Sequence, residues 1–350
     1  MKTKNSEDRS AGAIMGALIG DALGVGPHWY YDLDQLKADY GEWIDDYTTP
    51  KPDRFHAGLK AGENSQTGQV VALLLESVAD LGSYNESDFC RRLDGLLATL
   101  DGTPESGRYT DTAMRDVWHA RQAGQKWARA GSFADTAEAA IRTAVLAARY
   151  HNDFKTLLET CRSNVRLTHG DPFIAGCSVA FGLIVAALVN GDTLETAGKT
   201  ISEQAKAKGL SLSVSLPETV AADPREISFN DAVLQANWSY QAAKDNAVKI
   251  NPPWTACRLF GLACSLNFML PAAYYFNSRF ENDFELPVLS AINGGGNNMA
   301  RASLTGALSG AQVGLSNIPQ RFITGLADSK RLIEMATKVA ASGEVLVLEQ

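Results

Sequence analysis

Cysteine is scarce in this 350-residue chain: Cys90, Cys161, Cys177, Cys257 and Cys264 make an odd five, with no C-x-x-C pair and apolar neighbours around most of them. That excludes a disulfide framework and reads as reduced, buried thiols in a cytosolic, unprocessed protein. Basic charge is also short, with 32 Lys and Arg against 40 Asp and Glu for a net charge of −8. The sign is wrong for gripping a phosphate backbone, so a nucleic-acid partner is excluded. The apolar run Ala11–Leu23 follows Glu7 and Asp8, is interrupted by Asp21, and falls short of the roughly 20 residues a membrane span requires. Neither a signal segment nor a membrane partner is expected. There is no low-complexity tract, long linker, fixed-period repeat, Ser-His-Asp order, nucleophile elbow or Walker loop.

What is present is an apolar content of 45% with 21% charged residues, enough to bury a large core in one domain over 1–350. Apolar residues recur at helical spacing over Gly68–Leu81, Glu86–Leu100, Asp111–Ala123, Phe133–Tyr150, Phe154–Ser163, Pro172–Asn190, Leu194–Lys208, Asn230–Ala247, Thr255–Phe276 and Met299–Gly314. Strand-like alternation is confined to Leu210–Val214 and Val345–Leu348. The pattern predicts an all-α fold, a compact orthogonal bundle of ten or more helices. An amphipathic helix over 329–341 is expected to dock on the bundle or on a second subunit of a homo-oligomer.

The least helical stretch, Gly24–Ser65, mixes Pro27, Pro50 and Pro52 with His28, Trp29, Tyr30, Tyr31, Tyr40, Trp43, Tyr47 and Phe55. A loop of that length is either functional or an aromatic-pinned cover over the bundle. Ser215–Ser228 reads as a surface connection.

Gly12, Gly16, Gly20 and Gly24 recur every fourth residue in an otherwise apolar helix. Each costs about 1 kcal/mol relative to Ala, so the stripe implies close approach by another backbone. Near the other end, Gly294-Gly295-Gly296-Asn297-Asn298 feeds a helix carrying Ala302, Gly306 and Gly310 at the same spacing. Free N–H groups at that helix start, capped by Asn297 or Asn298, would suit an anion or polar ligand, although Gly-Asn runs are also ordinary turns.

Four blocks carry a likeness to a known family: Gly12–Gly24, Leu167-Thr168-His169-Gly170-Asp171-Pro172, Asn282-Asp283-Phe284-Glu285, and Gly294–Asn298 running into Thr305–Ala311. In this order, over roughly residues 11–326, the chain resembles the ADP-ribosylglycohydrolases, which include dinitrogenase reductase-activating glycohydrolase and the jellyfish J1-type crystallins. The resemblance implies an all-α fold and cleavage of the glycosidic bond at the anomeric carbon of ADP-ribose. It also implies a pair of magnesium ions that polarise hydroxyls and activate water. The family's carboxylates are missing here. Its early glutamate falls on His28, its Thr-Asp-Asp-Thr run on Ser65-Gln66-Thr67-Gly68, and its late Asp-x-Asp-Thr run on Asn297-Asn298-Met299-Ala300. Amides, hydroxyls and an imidazole are poor ligands for a hard dication, so no metal and no cofactor are expected.

The replacements suit a small ribosyl or nucleotide-like ligand, a reading the costly Gly294-Gly295-Gly296 turn beside them favours over drift, in which amides merely satisfy one another. The candidate pocket comprises Ser65, Gln66, Thr67, His169, Gly295, Gly296, Asn297 and Asn298. His28 is a candidate acid or base. Asp21 is a second candidate that could instead brace the glycine helix. Asp111 is a third that could instead cap its own helix. Which of the loop acids Asp45, Asp46, Asp53 and Asp111 face a cleft is open, and His56, His119 and His151 read as surface or packing residues. The expected function is a metal-free hydrolase of a ribosyl or related glycosidic bond. The alternative is a catalytically inactive binding or crystallin-like structural protein.

Overall fold

The computed structural model describes residues 2–215 and 225–341, with side chains from Ser6 onward. After α1 (Lys2–Val25) the aromatic segment contains one short helix, α2 (Leu33–Tyr40), capped by Asp32. Then come α3 (Gln66–Leu81), α4 (Glu86–Leu97), α5 (Thr112–Gln122), α6 (Glu138–Tyr150), α7 (Phe154–Arg166), α8 (Pro172–Val189) and α9 (Ala197–Ala207). A two-stranded antiparallel ribbon pairs β1 (Ser213–Ser215) with β2 (Glu226–Ser228). The chain continues through α10 (Asn230–Lys244), α11 (Ala256–Phe260), α12 (Leu266–Arg279), α13 (Glu285–Asn293), α14 (Asn298–Val313), α15 (Gln320–Gly325) and α16 (Ser329–Ala341).

The caps are written in the sequence. Ser65, Asn85, Asp111, Asp153 and Asp171 each accept backbone N–H bonds at the start of α3, α4, α5, α7 and α8, and Pro172 opens α8 where its missing N–H costs nothing. At the centre, α1, α6, α8 and α14 pack on one another. One helix, α8, is long and apolar enough to cross a membrane, with a mean hydropathy of 2.3, yet 89% of it is buried inside the bundle.

The tightest packing joins α1 to α14. A Cβ on Gly16 would overlap the carbonyl of Gly306, one on Gly306 the carbonyl of Gly16, and the same holds between Gly12 and Gly310 and between Gly20 and Ala302. The glycine stripe therefore marks backbone-to-backbone contact along the whole length of the pair.

Several boundaries differ from the sequence expectation. The helix expected from Phe133 begins at Glu138, because Ser132 bridges to His169 and the Asp135 carbonyl accepts from Leu266 N at 2.7 Å, holding the segment extended. The helix expected over Thr255–Phe276 is two, since Gly261 at φ 120° ends α11. The helices α13 and α15 are additional. Residues 216–224, within the expected surface connection, and the strand expected at Val345–Leu348 lie outside the described residues. The helix α16 docks on α1 and α3 of its own chain, burying Leu332, Ala336, Val339 and Ala340.

Candidate active site

The segment after α1 crosses the start of α14. Trp29 N donates to Gly296 O at 3.0 Å and Gly296 N to Tyr30 O at 2.7 Å, with Gly295 and Gly296 at φ 72° and 64° and Trp29 itself at 59°. Left-handed backbone suits the two glycines and strains the tryptophan. The indole is thereby fixed where Nε1 donates to Cys264 Sγ at 3.1 Å and its ring meets Phe55 and Tyr109 edge-on, at 4.5 and 5.0 Å between centroids. Under it lies a cavity of about 350 Å³ lined by Trp29, Tyr31, Phe55, Tyr109, Asp111, Thr112, Thr136, Glu138, Cys264 and Asn297.

The chemistry of that cavity resides in two carboxyl groups. Asp111 Oδ1 accepts from Met114 N at 2.9 Å, so Asp111 is the cap of α5 as well as part of the wall. Burial, and then the negative charge of Glu138, push its pKa up to about 8. Glu138, the first residue of α6, is largely shielded, its side chain 12% exposed. Its carboxylate nevertheless stays below the ordinary value, because His169 and the Thr136 hydroxyl hydrogen-bond to it. His169 is wholly enclosed, with Nε2 3.3 Å from Glu138 Oε2 and 3.1 Å from Thr136 Oγ1 and Nδ1 2.9 Å from Thr168 Oγ1. A proton on Nε2 satisfies every member of this chain, with the Thr168 hydroxyl donating to Nδ1. Burial and a neighbouring charge thus raise the proton affinity of one carboxyl while hydrogen bonds lower that of the other, the division of labour that acid–base catalysis needs.

The other expected site residues form a hydrogen-bonded layer behind this cavity. Asp21 accepts from Ser65 Oγ at 2.6 Å, Ser65 N at 2.8 Å and Asn64 Nδ2 at 3.0 Å, so its carboxylate braces α1 against the start of α3 and is not among the lining residues. Ser65 Oγ in turn caps Thr67 N, and Gln66 Nε2 donates to Thr110 Oγ1 at 2.8 Å while Gln66 Oε1 is buried without a partner. Thr67 is buried beside them. Asn298 Nδ2 donates to the carbonyls of Pro27 and Ile292, which leaves Oδ1 to accept from His28 Nδ1 at 3.4 Å. His28 is itself buried, and burial together with His56 and Arg54 holds it neutral, well below the usual histidine pKa. It lies beneath Trp29, at 4.2 Å between rings, and is not part of the cavity wall.

Four of the N–H groups expected free at the glycine turn are spent: Gly296 N on Tyr30 O, Asn297 N on Leu262 O, Asn298 N on Gly296 O, and Ala300 N on Asn297 Oδ1. The Gly-Asn run is a turn and a cap, and only Asn297 reaches the cavity. Of the loop acids, Asp111 lines the inner cavity and Asp53 an outer cleft. Asp45 lies against Arg321, whose Nη2 donates to its carbonyl, and Asp46 accepts from Tyr47 N. His151 is fixed by Asn190 and His119 is exposed, but His56 is buried with neither ring nitrogen partnered.

The sequence does not single out Glu138, Thr136 or Tyr109, whereas Trp29, Tyr31 and Phe55 of the aromatic wall belong to the stretch read as either functional or a cover. Glu138 is the sole carboxylate between Asp135 and Asp153, in an Ala-rich run otherwise read as core. An isolated acid in such a run is itself the signal, since a buried carboxylate is retained only where something uses or compensates it.

An all-α bundle with a carboxylate-bearing cavity at the glycine turn defines a glycohydrolase-type scaffold. The ADP-ribosylglycohydrolase family model matches residues 2–346, and the chain belongs to that family. An uncharacterized protein of Archaeoglobus fulgidus is similar, 27% identical over 95% of this chain and 96% of its own length. A solved structure titled ADP-ribosylglycohydrolase-related protein complex shares the fold, with a TM-score of 0.66 over 97% of this chain and all of that one, at 19% identity.

Residues at the family's metal positions do not fit a magnesium pair. They are neutral, and the side chains of Ser65, Asn297 and Asn298 are already committed to protein partners. Among the described residues no three of His, Cys, Asp and Glu gather as a ligand set. A hard dication requires anionic oxygen in octahedral array, and this layer offers none that is unpaired.

Proposed function

We propose that the protein is a hydrolase of a ribosyl or related glycosidic bond that works without bound magnesium in the reducing cytoplasm, on a small ribosyl- or nucleotide-like ligand. The observation that carries this reading is the Asp111–Glu138 pair, two carboxyls in one aromatic-walled cavity with proton affinities driven apart. Protonated Asp111 delivers a proton to the leaving-group atom as the bond to the anomeric carbon breaks. Ionised Glu138 stabilises the positive charge developing on the sugar and takes a proton from the attacking water; that proton then passes through solvent to Asp111, which restores a protonated Asp111 and an ionised Glu138. Trp29, Tyr31, Phe55 and Tyr109 supply ring faces and edges for the sugar or base. His28 and Asp21 hold this architecture from behind.

A screen of ADP-ribosyl and N-ribosyl compounds tests the reading. Turnover is expected to survive a chelator and to fall by about 10²-fold or more in Asp111→Asn, the ordinary worth of a general acid. Turnover that dies with the chelator, or is untouched by the substitution, overturns it. A crystallin-like role without turnover is the second reading, favoured by the completeness with which Asp21, Ser65, Asn298 and His28 satisfy one another. No turnover across the screen would decide for it.

A further inference from the structure

Phe55 and Tyr109 have a second side. They divide the carboxylate cavity from an outer cleft of about 610 Å³ lined by residues of 52–59 and by Glu105, Gly107, Arg108 and Tyr109. Three groups there have donors to spare. His56 is only 3% exposed, and neither of its ring nitrogens has a partner. Arg54 spends Nη2 on the Trp29 carbonyl at 2.8 Å and stacks 3.7 Å over the Tyr30 ring, but its Nε is buried without an acceptor. The half-exposed Arg108 guanidinium makes no hydrogen bond or ion pair among the described residues, only its carbonyl accepting from Thr110 Oγ1 at 3.3 Å. The acids of this cleft, Asp53 and Glu105, are exposed and pair with neither arginine. Buried donors left unmatched are costly, and a surplus of them calls for an acceptor-rich occupant.

We propose that the outer cleft binds a small oxyanion, held by Arg108 and Arg54 with the His56 N–H completing the cradle. Arginine suits such a ligand because its planar fork meets two oxygens at once. The anion is either free or the phosphoryl end of a ligand whose remainder passes the Phe55–Tyr109 wall.

The test is titration of the full-length protein with inorganic phosphate, followed by calorimetry and by the ring-nitrogen NMR signals of His56. Saturable movement of those signals is expected, with binding weakened about tenfold or more in Arg108→Gln, the worth of one charge-assisted contact. His56 signals unmoved by phosphate, or equal binding by the folded Arg108→Gln protein, would overturn the proposal. Comparing ribose with ribose 5-phosphate separates the sources. A gain for the phosphorylated sugar that vanishes in Arg108→Gln assigns the anion to the ligand's own tail, whereas equal sugar affinities beside retained phosphate binding assign a free anion. Asp111→Asn is expected to leave phosphate binding intact, so a failed hydrolase reading and a failed anion site give different results.

Discussion

At the residue scale the site depends on why Glu138 is ionised. Its burial alone would protonate it, and the correction comes from His169 and Thr136, themselves fixed by Thr168 and by the extended 132–137 segment. His169 is a positioning residue in this scheme, since it acts through Glu138 and is sealed from the cavity. In His169→Leu the carboxylate loses its strongest donor while burial remains. The acidic limb of the pH–rate profile is then expected to move upward by about one unit, while the basic limb, set by Asp111 near 8, stays near its place. An acidic limb that does not move would detach His169 from the chemistry. The N-cap position of Asp111 is legible in the sequence because capping is local, whereas its place in the cavity wall is not. Nor is the role of Glu138, which exists only once α6 is laid against α5 and the 168–169 turn. His28 shows the converse: its identity as a replaced glutamate suggested an acid or base, but the fold seals it under Trp29 with its proton fixed by Asn298.

The same contrast runs through the elements. The paired glycine stripes of α1 and α14 were readable because each glycine's intrinsic cost, repeated at one spacing, has a single cheap explanation in backbone contact. Helix ends that depend on tertiary bonds were not readable, as with the late start of α6 and the break at Gly261. The α1–α14 contact makes a quantitative demand. A methyl group at Gly306 has nowhere to go, since its neighbour is the Gly16 carbonyl and not the flexible end of a side chain. Gly306→Ala is expected to destabilise the fold by about 2 to 3 kcal/mol, read from the urea midpoint, even though Ala is the better helix former. Because the start of α14 carries Asn297 and the Gly296 bridge to Tyr30, the shift should also loosen the cavity. Retention of full stability would mean that the two helices slide apart at no cost and that the stripe has another purpose.

For the whole molecule, the buried histidines set a limit on acid tolerance. His28 and His56 lie 4.9 Å apart between rings, both about 3% exposed, near Arg54, Arg108 and the enclosed Arg301 and with no carboxylate among the groups that shift them. Burial first, and then these cations, depress both, His56 to about 4. A folded pKa below the unfolded value of about 6.5 means the unfolded chain takes up protons the native one refuses. The associated stability is complete above pH 6.5 and is lost as pH falls through 6.5 toward 4, on the order of 3 kcal/mol for His56 alone. Asp111 works in the opposite sense, because its raised pKa favours the fold below about 4 and withdraws that support as pH climbs through 8. The two windows overlap between about 4 and 6.5, where two histidines outweigh one aspartate, so stability should peak near pH 6.5 and decline on either side. Urea unfolding between pH 8 and 4.5 is expected to show a falling midpoint below 6.5 that flattens in His56→Gln. If an oxyanion occupies the outer cleft, added phosphate should flatten the same limb, since an anion beside His56 raises its folded pKa toward the unfolded value. A wild-type midpoint that holds level from pH 6.5 to 4.5 would mean that the two imidazoles are reached by water or a counter-charge in solution.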